Sequence, residues 1–371
     1  MKVTTITPQI VERVVDLIVE IQQIAAPTFE EAQRSKFLFD RLKNEELKDV
    51  SQDQLGNVFA RLAGKNSDHP LIVSAHIDTV FPLNTDLSIR RDNNRIKGAG
   101  VGDNATGVAA LFGLLWSLQD VEVQLDYDLW LVANVGEEAL GNLVGMQAVV
   151  ERFGRQPIAY IILEGMAYGR IYHRGLCVRR FRINANTKGG HSWVDHGTPS
   201  AIHELASLVT QLTALTLESQ PRTILNVGRI AGGVSVNTIA PDAHLELDLR
   251  SIDPSALNEL TSQVEALVRA GNRADVRFEM MSLGERPVGE LARDHQLVQL
   301  AADILTEQGL QPDLNAGSTD ANIPLSLGYA AICIGLTTGG GAHTLEEYIN
   351  TGPLKQGLEQ LTSLVQRISV D

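Results

Sequence analysis

His76 and Asp78 stand two residues apart at the end of the run Leu71-Ile-Val-Ser-Ala-His76. That run is apolar and β-branched, the composition of a strand buried on both faces. On a strand, a spacing of two puts both side chains on one face. A His beside a carboxylate at a strand's carboxyl end can act as a metal ligand and the partner that orients it. An ordinary surface His and Asp fit the same two residues. Gly98-Ala-Gly100-Val-Gly102-Asp103-Asn104 lacks the Lys-Ser/Thr of a P-loop and the spacing of a dinucleotide fingerprint. Its glycines allow a tight fold that points Asp103 into a site, or Asp103 caps the helix that follows. Tyr127–Val135 predicts a strand ending in Gly136-Glu137-Glu138, where consecutive acids point different ways. One can bind metal while the other handles a proton, or both belong to an acidic loop. The strand predicted at Ala159–Leu163 ends in Glu164, and His343 follows another apolar run. In open α/β sheets ligands gather outside the carboxyl ends of the strands. Charges brought that close repel unless cations neutralise them.

The elements that must position these groups are legible in part. Thr7-Pro8 is an N-cap and first-turn pair, and Ile10, Val11, Val14, Val15, Ile18 and Ile21 repeat at helical spacing. Pro27 ends that helix. Thr28-Phe-Glu-Glu31 predicts a capping box opening a second helix through about Leu42. A strand at Val58–Leu62, a hairpin turn at Arg90–Ile96 and a helix at Asn142–Phe153 follow. From about Ile171 the texture changes. Val178–Asn186 alternates as a half-exposed strand, Thr198-Pro199 starts a helix to about Leu217, and Thr223–Ile230 and His244–Arg250 predict strands. A helix at Pro254–Ala270 and a strand at Val276–Met281 complete a β-α-β-β-α-β order, the ferredoxin-like arrangement. The expected organisation is therefore an α/β catalytic domain of residues 1–173 and 285–371, with a domain of residues 174–284 inserted. The first domain resumes with a helix at Asp294–Gln308, a strand at Ala330–Leu336 and a helix at Pro353–Ile368.

A chain of 371 residues exceeds one ordinary core, so two domains are the default. The net charge of −14 argues against nucleic-acid or anionic-membrane partners, which require basic patches, and fits a soluble protein that can hold cations. Cys177 and Cys333 each lie in an apolar run and read as buried free thiols in a reducing cytoplasm. The first residues lack the apolar core of a signal peptide, and no apolar run reaches membrane-spanning length. The expectation is a cytoplasmic protein.

Taken in order, Ser74-Ala-His76-Ile-Asp78, Gly102-Asp103-Asn104, Gly136-Glu137-Glu138, Glu164, Gly189-Gly-His191-Ser, Gly317-Ser-Thr-Asp320-Ala and Gly341-Ala-His343-Thr-Leu-Glu-Glu347 span nearly the whole chain. The set resembles the di-zinc exopeptidases and deacylases related to peptidase T, glutamate carboxypeptidase, acetylornithine deacetylase, succinyl-diaminopimelate desuccinylase and aminoacylase. The resemblance implies a zinc-exopeptidase-like catalytic domain and an inserted ferredoxin-like lid that often serves as a homodimer surface. It implies one zinc on His76 and Glu164, another on Glu138 and His343, and Asp103 bridging both. Asp78 would hold the His76 imidazole, and Glu137 would be the general base. Each zinc then has three N/O ligands and a place for water, whose pKa zinc lowers toward ~7. Cobalt or manganese suits the same donors. The resemblance also points to a cis peptide after Asp103 and to His191 as an oxyanion donor across a dimer interface. It makes Asn237 and Arg250 a clamp for a substrate carboxylate, with backbone N–H groups near Gly340 at the same end. The family commonly has Pro where Ala240 stands; here Pro241 comes one residue later. His196, five residues after His191, is incidental, and His69, His173, His203, His244 and His295 match no motif and read as structural.

The implied activity is zinc-dependent hydrolysis of an amide bond in a small peptide, as an aminopeptidase or carboxypeptidase of peptidase-T type. Specificity would sit in the lid and the loops around Ser318–Pro324, with lid hinges near Tyr172–Gly175 and Leu283–Pro287 closing during turnover. A deacylase or desuccinylase of N-acyl amino acids is the second reading. A non-catalytic binding relative is the third, and it has no need of Glu137.

Overall fold

A computed structural model describes residues 5–45, 47, 49–217 and 219–368. At its centre Leu71–His76 lies between two parallel strands, Leu129–Asn134 and Ala159–Glu164, with His76 opposite Asn134 and Ser74 opposite Ile162. Ala331–Gly335 extends the parallel run, placing Gly335 opposite Glu164. The carboxyl ends of four strands thus line up along one edge.

The whole sheet has eight described strands. Their spatial order is Asp49–Gln52, Val58–Leu62, Leu129–Asn134, Leu71–His76, Ala159–Glu164, Ala331–Gly335, Arg170–Gly175 and Asp313–Gly317. Antiparallel pairing of Val58–Leu62 with Leu129–Asn134, and of Ala331–Gly335 with Arg170–Gly175, makes it a mixed sheet.

Side-chain alternation explains how the sheet is covered. Leu71, Val73 and Ala75, with Leu129, Leu131, Ile161 and Leu163, pack into one apolar cluster with the helices Pro8–Gln22, Gly107–Asp120 and Leu354–Arg367. Ile72, Val132 and Ile162 face the other way, against Met146, Val149 and Phe153 of the helix Val144–Phe153. Buried on both faces, the central strands cannot slip register without exposing one apolar set.

The chain divides into two compact units, Met1–Gly175 with Gly289–Asp371, and Leu176–Val288. The second unit runs Cys177–Thr187, helix Ala201–Thr213, Thr223–Gly232, Asp242–Ser251, helix Pro254–Gly271 and Val276–Arg286, a β-α-β-β-α-β order. Its four long strands pair antiparallel around its own apolar cluster. Both cysteines are buried and unpaired. Among the described residues no helix is long and apolar enough to cross a membrane.

Three local expectations change. Thr28 and Glu31 do not form a capping box: the helix Ala32–Lys43 begins after Glu31 without a side-chain cap. Instead Thr28 Oγ1 donates to Asp78 Oδ2 at 2.9 Å, and Glu31 Oε1 accepts from the Gly136 amide at 3.1 Å. Tertiary partners have taken both side chains. The helix expected from Thr198-Pro199 to Leu217 spans Ala201–Thr213, because the Thr198 amide closes a turn onto Asp195 O. The last strand of the second unit continues past Met281 to Arg286 through a register shift at Ser282/Gly284.

One close approach fixes the strand end to the Asp103 loop. A Cβ on Gly165 would lie 2.0 Å from the Gly102 carbonyl oxygen. Gly165→Ala is therefore expected to cost about 1–3 kcal/mol, read as a lower denaturation midpoint with an unchanged m-value.

Candidate metal centre

His76 is the last residue of its strand and is fully buried. Its Nδ1 faces Asp78, 3.2 Å from the carbonyl oxygen and 3.4 Å from Oδ1. Its Nε2 points the other way, 3.2 Å from Asp103 Oδ1 and 3.9 Å from Glu164 Oε1. His343, held at φ 64 in its loop, brings Nε2 to 3.1 Å from Asp103 Oδ2 and 3.3 Å from Glu138 Oε1. The two Asp103 oxygens thus each face a different imidazole.

Three groups have ligand atoms within 4.8 Å of one another: His76, Asp103 and Glu164; His76, Glu137 and Glu138; and Asp103, Glu138 and His343. All five side chains implied as metal ligands are brought together, with Glu137 beside them. The Asp103–Asn104 peptide is cis. Asn104, and not Asp103, serves the helix that follows: its Oδ1 accepts from the Gly107 amide at 3.0 Å, and its Nδ2 donates to Leu163 O at 2.8 Å.

Charge is crowded here. Burial pushes the Glu138 carboxyl up to about 7, helped by neighbouring Asp103. Burial also raises Glu164 well above the usual carboxylate range. Burial alone would lower His76, but hydrogen bonds to Asp103 and Asp78 outweigh it and raise its pKa. Hydrogen bonds to Asp103 and Glu138 lift His343 to about 10. Burial would raise Asp103, yet the two histidines hold it well below the usual carboxylate range.

Two carboxylates hold this set in place from behind. Asp78, fully buried, accepts from the Glu137 amide at 3.0 Å and the Glu138 amide at 2.8 Å. Burial would raise its pKa, but His76 and those amides lower it. Glu347, also fully buried, accepts from the amides of Gly102 at 2.7 Å, Asp103 at 2.8 Å and Gly100 at 3.2 Å. Sequence reasoning gave Glu347 no role; its place four residues after His343 was the available signal. Asp320, inside a quoted motif but likewise unassigned, is fully buried and accepts from Asn134 Nδ2 at 2.7 Å. Burial and Glu137 push it up to about 7.

Gly340 pairs with Tyr348 in a small sheet of the same unit. His191, Asn237 and Arg250 belong to the second unit. There His191 pairs with Thr238, and the Ser192 amide donates to Asn237 O at 3.0 Å, making His191 and Asn237 neighbours. His191 Nδ1 accepts from the amides of Trp193 at 3.2 Å and Val194 at 3.4 Å, which leaves the proton of the neutral ring on Nε2. Arg250 Nε donates to Asp248 Oδ2 at 2.7 Å, and Arg180 Nε to the other oxygen at 3.1 Å. His173 and His295 hold backbone groups at Leu291 and Leu297.

Residues 72–367 match peptidase family M20/M25/M40, and the chain belongs to that family. It is 23% identical to the uncharacterized protein YqjE of Bacillus subtilis over 96% of each chain. Among solved structures it resembles the aminopeptidase PepT of Bacillus cereus, with a TM-score of 0.74 and 21% identity over 96% of this chain and 98% of that one. It also resembles the YXEP protein of Bacillus subtilis, described as a dinuclear metal-binding peptidase of the M20 family, with a TM-score of 0.66 and 16% identity over 97% and 98%.

Protons and cations compete for these side chains. Glu138 holds its proton below about 7 and His343 below about 10. Cation affinity is therefore expected to tighten as pH rises from about 6 to 8, with roughly one proton or more released per cation bound near pH 6. Competition with a chelating dye, repeated across pH, measures both. Glu347→Gln turns an amide NH2 toward backbone N–H donors, and should weaken cation affinity about 10–100-fold in the same titration.

Proposed function

We propose that this chain is a metal-dependent hydrolase of amide bonds in small peptides. The observation that carries the reading is the Asp103 carboxylate, each oxygen facing a different imidazole. The donor chemistry fits a pair of divalent cations. Four clustered carboxylates, Asp103, Glu137, Glu138 and Glu164, with two neutral imidazoles carry four negative charges, which two such cations balance. Nitrogen and oxygen donors of this kind suit zinc, with cobalt and manganese as alternatives. His76 and Glu164 would hold one cation and Glu138 and His343 the other, with Asp103 shared. When bound, the cations supply the positive charge that acidifies a water and polarises a scissile carbonyl.

The side chains do the rest. Glu137 sits on a turn whose amides are held by Asp78, and we read it as the group that takes a proton from the attacking water. It would return that proton to the leaving amine. Asp78 lies against Nδ1 of the His76 ring, and Nε2 faces Asp103 and Glu164, where it would hold the cation. We read the inserted unit as a ferredoxin-like lid whose His191 is an Nε2–H donor suited to an oxyanion, with Asn237 and Arg250 as its substrate-binding residues. Hydrolysis of N-acyl amino acids needs the same groups and is the second reading.

A panel of dipeptides, tripeptides and N-acyl amino acids tests this. Hydrolysis is expected to vanish with a chelator and return when zinc, cobalt or manganese is added back. Glu137→Ala should lower kcat by about 10²–10⁴-fold while bound metal, measured by elemental analysis, stays unchanged. Retained turnover would remove Glu137 from its role.

A further inference from the structure

Among the described residues, the non-glycine positions with positive φ are Phe29, Glu122, Ala139, Asn142, Leu143 and His343. All but Glu122 lie in loops that carry or contact the clustered acids and imidazoles. Left-handed backbone is costly for a bulky residue, and such strain gathers where surrounding structure over-determines it. Phe29 is the extreme case, at φ 75 and 67% exposed. No burial offsets that strain. The loop is pinned on both sides of it, by Thr28 to Asp78 and by Glu31 to the Gly136 amide.

The other two loops repeat the pattern. Leu140 is 42% exposed, two residues after Glu138 and between Ala139 at φ 44 and Asn142 at φ 51. Its loop is tightly closed: a Cβ on Gly141 would lie 2.4 Å from Gly136 O. Leu345 is 59% exposed, two residues after His343, in a turn closed by Thr344 N to Gly341 O and Glu347 N to Thr344 O. Scattered exposed apolar residues are ordinary. Here each of three pinned loops at the acid–imidazole cluster holds one large apolar side chain in water.

We propose that Phe29, Leu140 and Leu345 form an apolar rim that receives a hydrophobic group beside the scissile amide. This deepens, and rests on, the hydrolase reading above. The group is either a peptide side chain or the acyl chain of an N-acyl amino acid. A rim on rigid loops selects such a group because its position is set before binding. Phe29 is then a specificity residue, and its strained backbone is retained for contact with substrate.

The test measures binding to the zinc-loaded Glu137→Ala chain by calorimetry, so it does not need turnover. Leu-Gly and Gly-Leu are compared with Gly-Gly, and N-hexanoylglycine with N-acetylglycine. The expected result is an apolar preference of roughly tenfold or more in one arm, and that arm identifies the source. Adding Phe29→Gly should collapse the preference toward unity, and Leu140→Ser or Leu345→Ser should reduce it. Glycine accepts φ 75 without strain, so Phe29→Gly should leave the thermal midpoint unchanged or higher. Equal binding of apolar and small probes overturns the proposal. So does a preference that survives Phe29→Gly, or a lowered midpoint, which would make Phe29 a packing residue. An intact preference in a chain that hydrolyses no amide overturns the hydrolase reading and leaves the rim standing.

Discussion

One carboxylate has to satisfy two imidazoles that arrive from opposite ends of the chain. Asp103 gives one oxygen to His76 and the other to His343, and most of the unit that holds them can be understood as keeping that geometry against repulsion. In a buried setting like charges interact strongly, because little water intervenes to screen them. Glu138 and Glu164 sit in the same cluster as Asp103, and burial raises the pKa of both. Such a cluster persists only if its side chains are anchored to something that will not move. The anchor is the parallel core, packed on both faces and fixed in register.

Anchoring is achieved by one device used twice. Asp78 and Glu347 each turn both oxygens onto backbone amides of the loops that carry the clustered acids. Side-chain oxygens that accept from backbone amides in this way fix loop geometry without occupying the cluster itself. Arg34 does related work with the opposite charge. It is fully buried, donates to Ile77 O at 2.7 Å and Ile24 O at 2.9 Å, and faces the fields of Asp78 and Glu31. Burial lowers its pKa to about 10, so it remains a cation at neutral pH. Asp78 keeps its charge despite its burial because His76 and the amides of Glu137 and Glu138 hold its pKa down.

Legibility in the sequence follows the same division. Elements whose side chains are sorted by water were readable. The helix Pro8–Gln22 has its apolar stripe, and Leu71–His76 and Ala159–Glu164 have their continuous apolar runs. His76, Glu137, Glu138, Glu164 and His343 are legible because each follows an apolar run, whereas Asp103 stands in a glycine-rich loop before a helix. Arg170–Gly175 and the edge strand Asp313–Gly317 carry no such run, because polar and glycine residues dilute their pattern. Glu347 and Asp78 act through backbone amides, which leave no mark in residue identity. Thr28 and Glu31 misled because a local capping pattern and a tertiary hydrogen bond use the same side-chain oxygens. Only the fold decides between them.

The cluster is also uneven in how it is built. His76 and Glu164 end regular strands, where ladder hydrogen bonds and packing set their direction. Glu138 and His343 come from loops, and those loops hold four of the strained non-glycine residues, at Ala139, Asn142, Leu143 and His343. A strand end aims a side chain at no conformational cost but in only the directions the pleat allows. A loop reaches any direction and pays in backbone strain. Closing a ring of donors around Asp103 needs directions that a sheet cannot supply, so the strain falls where the ring leaves the strands. Exposure follows the same line, since His76 is fully buried while the His343 side chain is about half exposed.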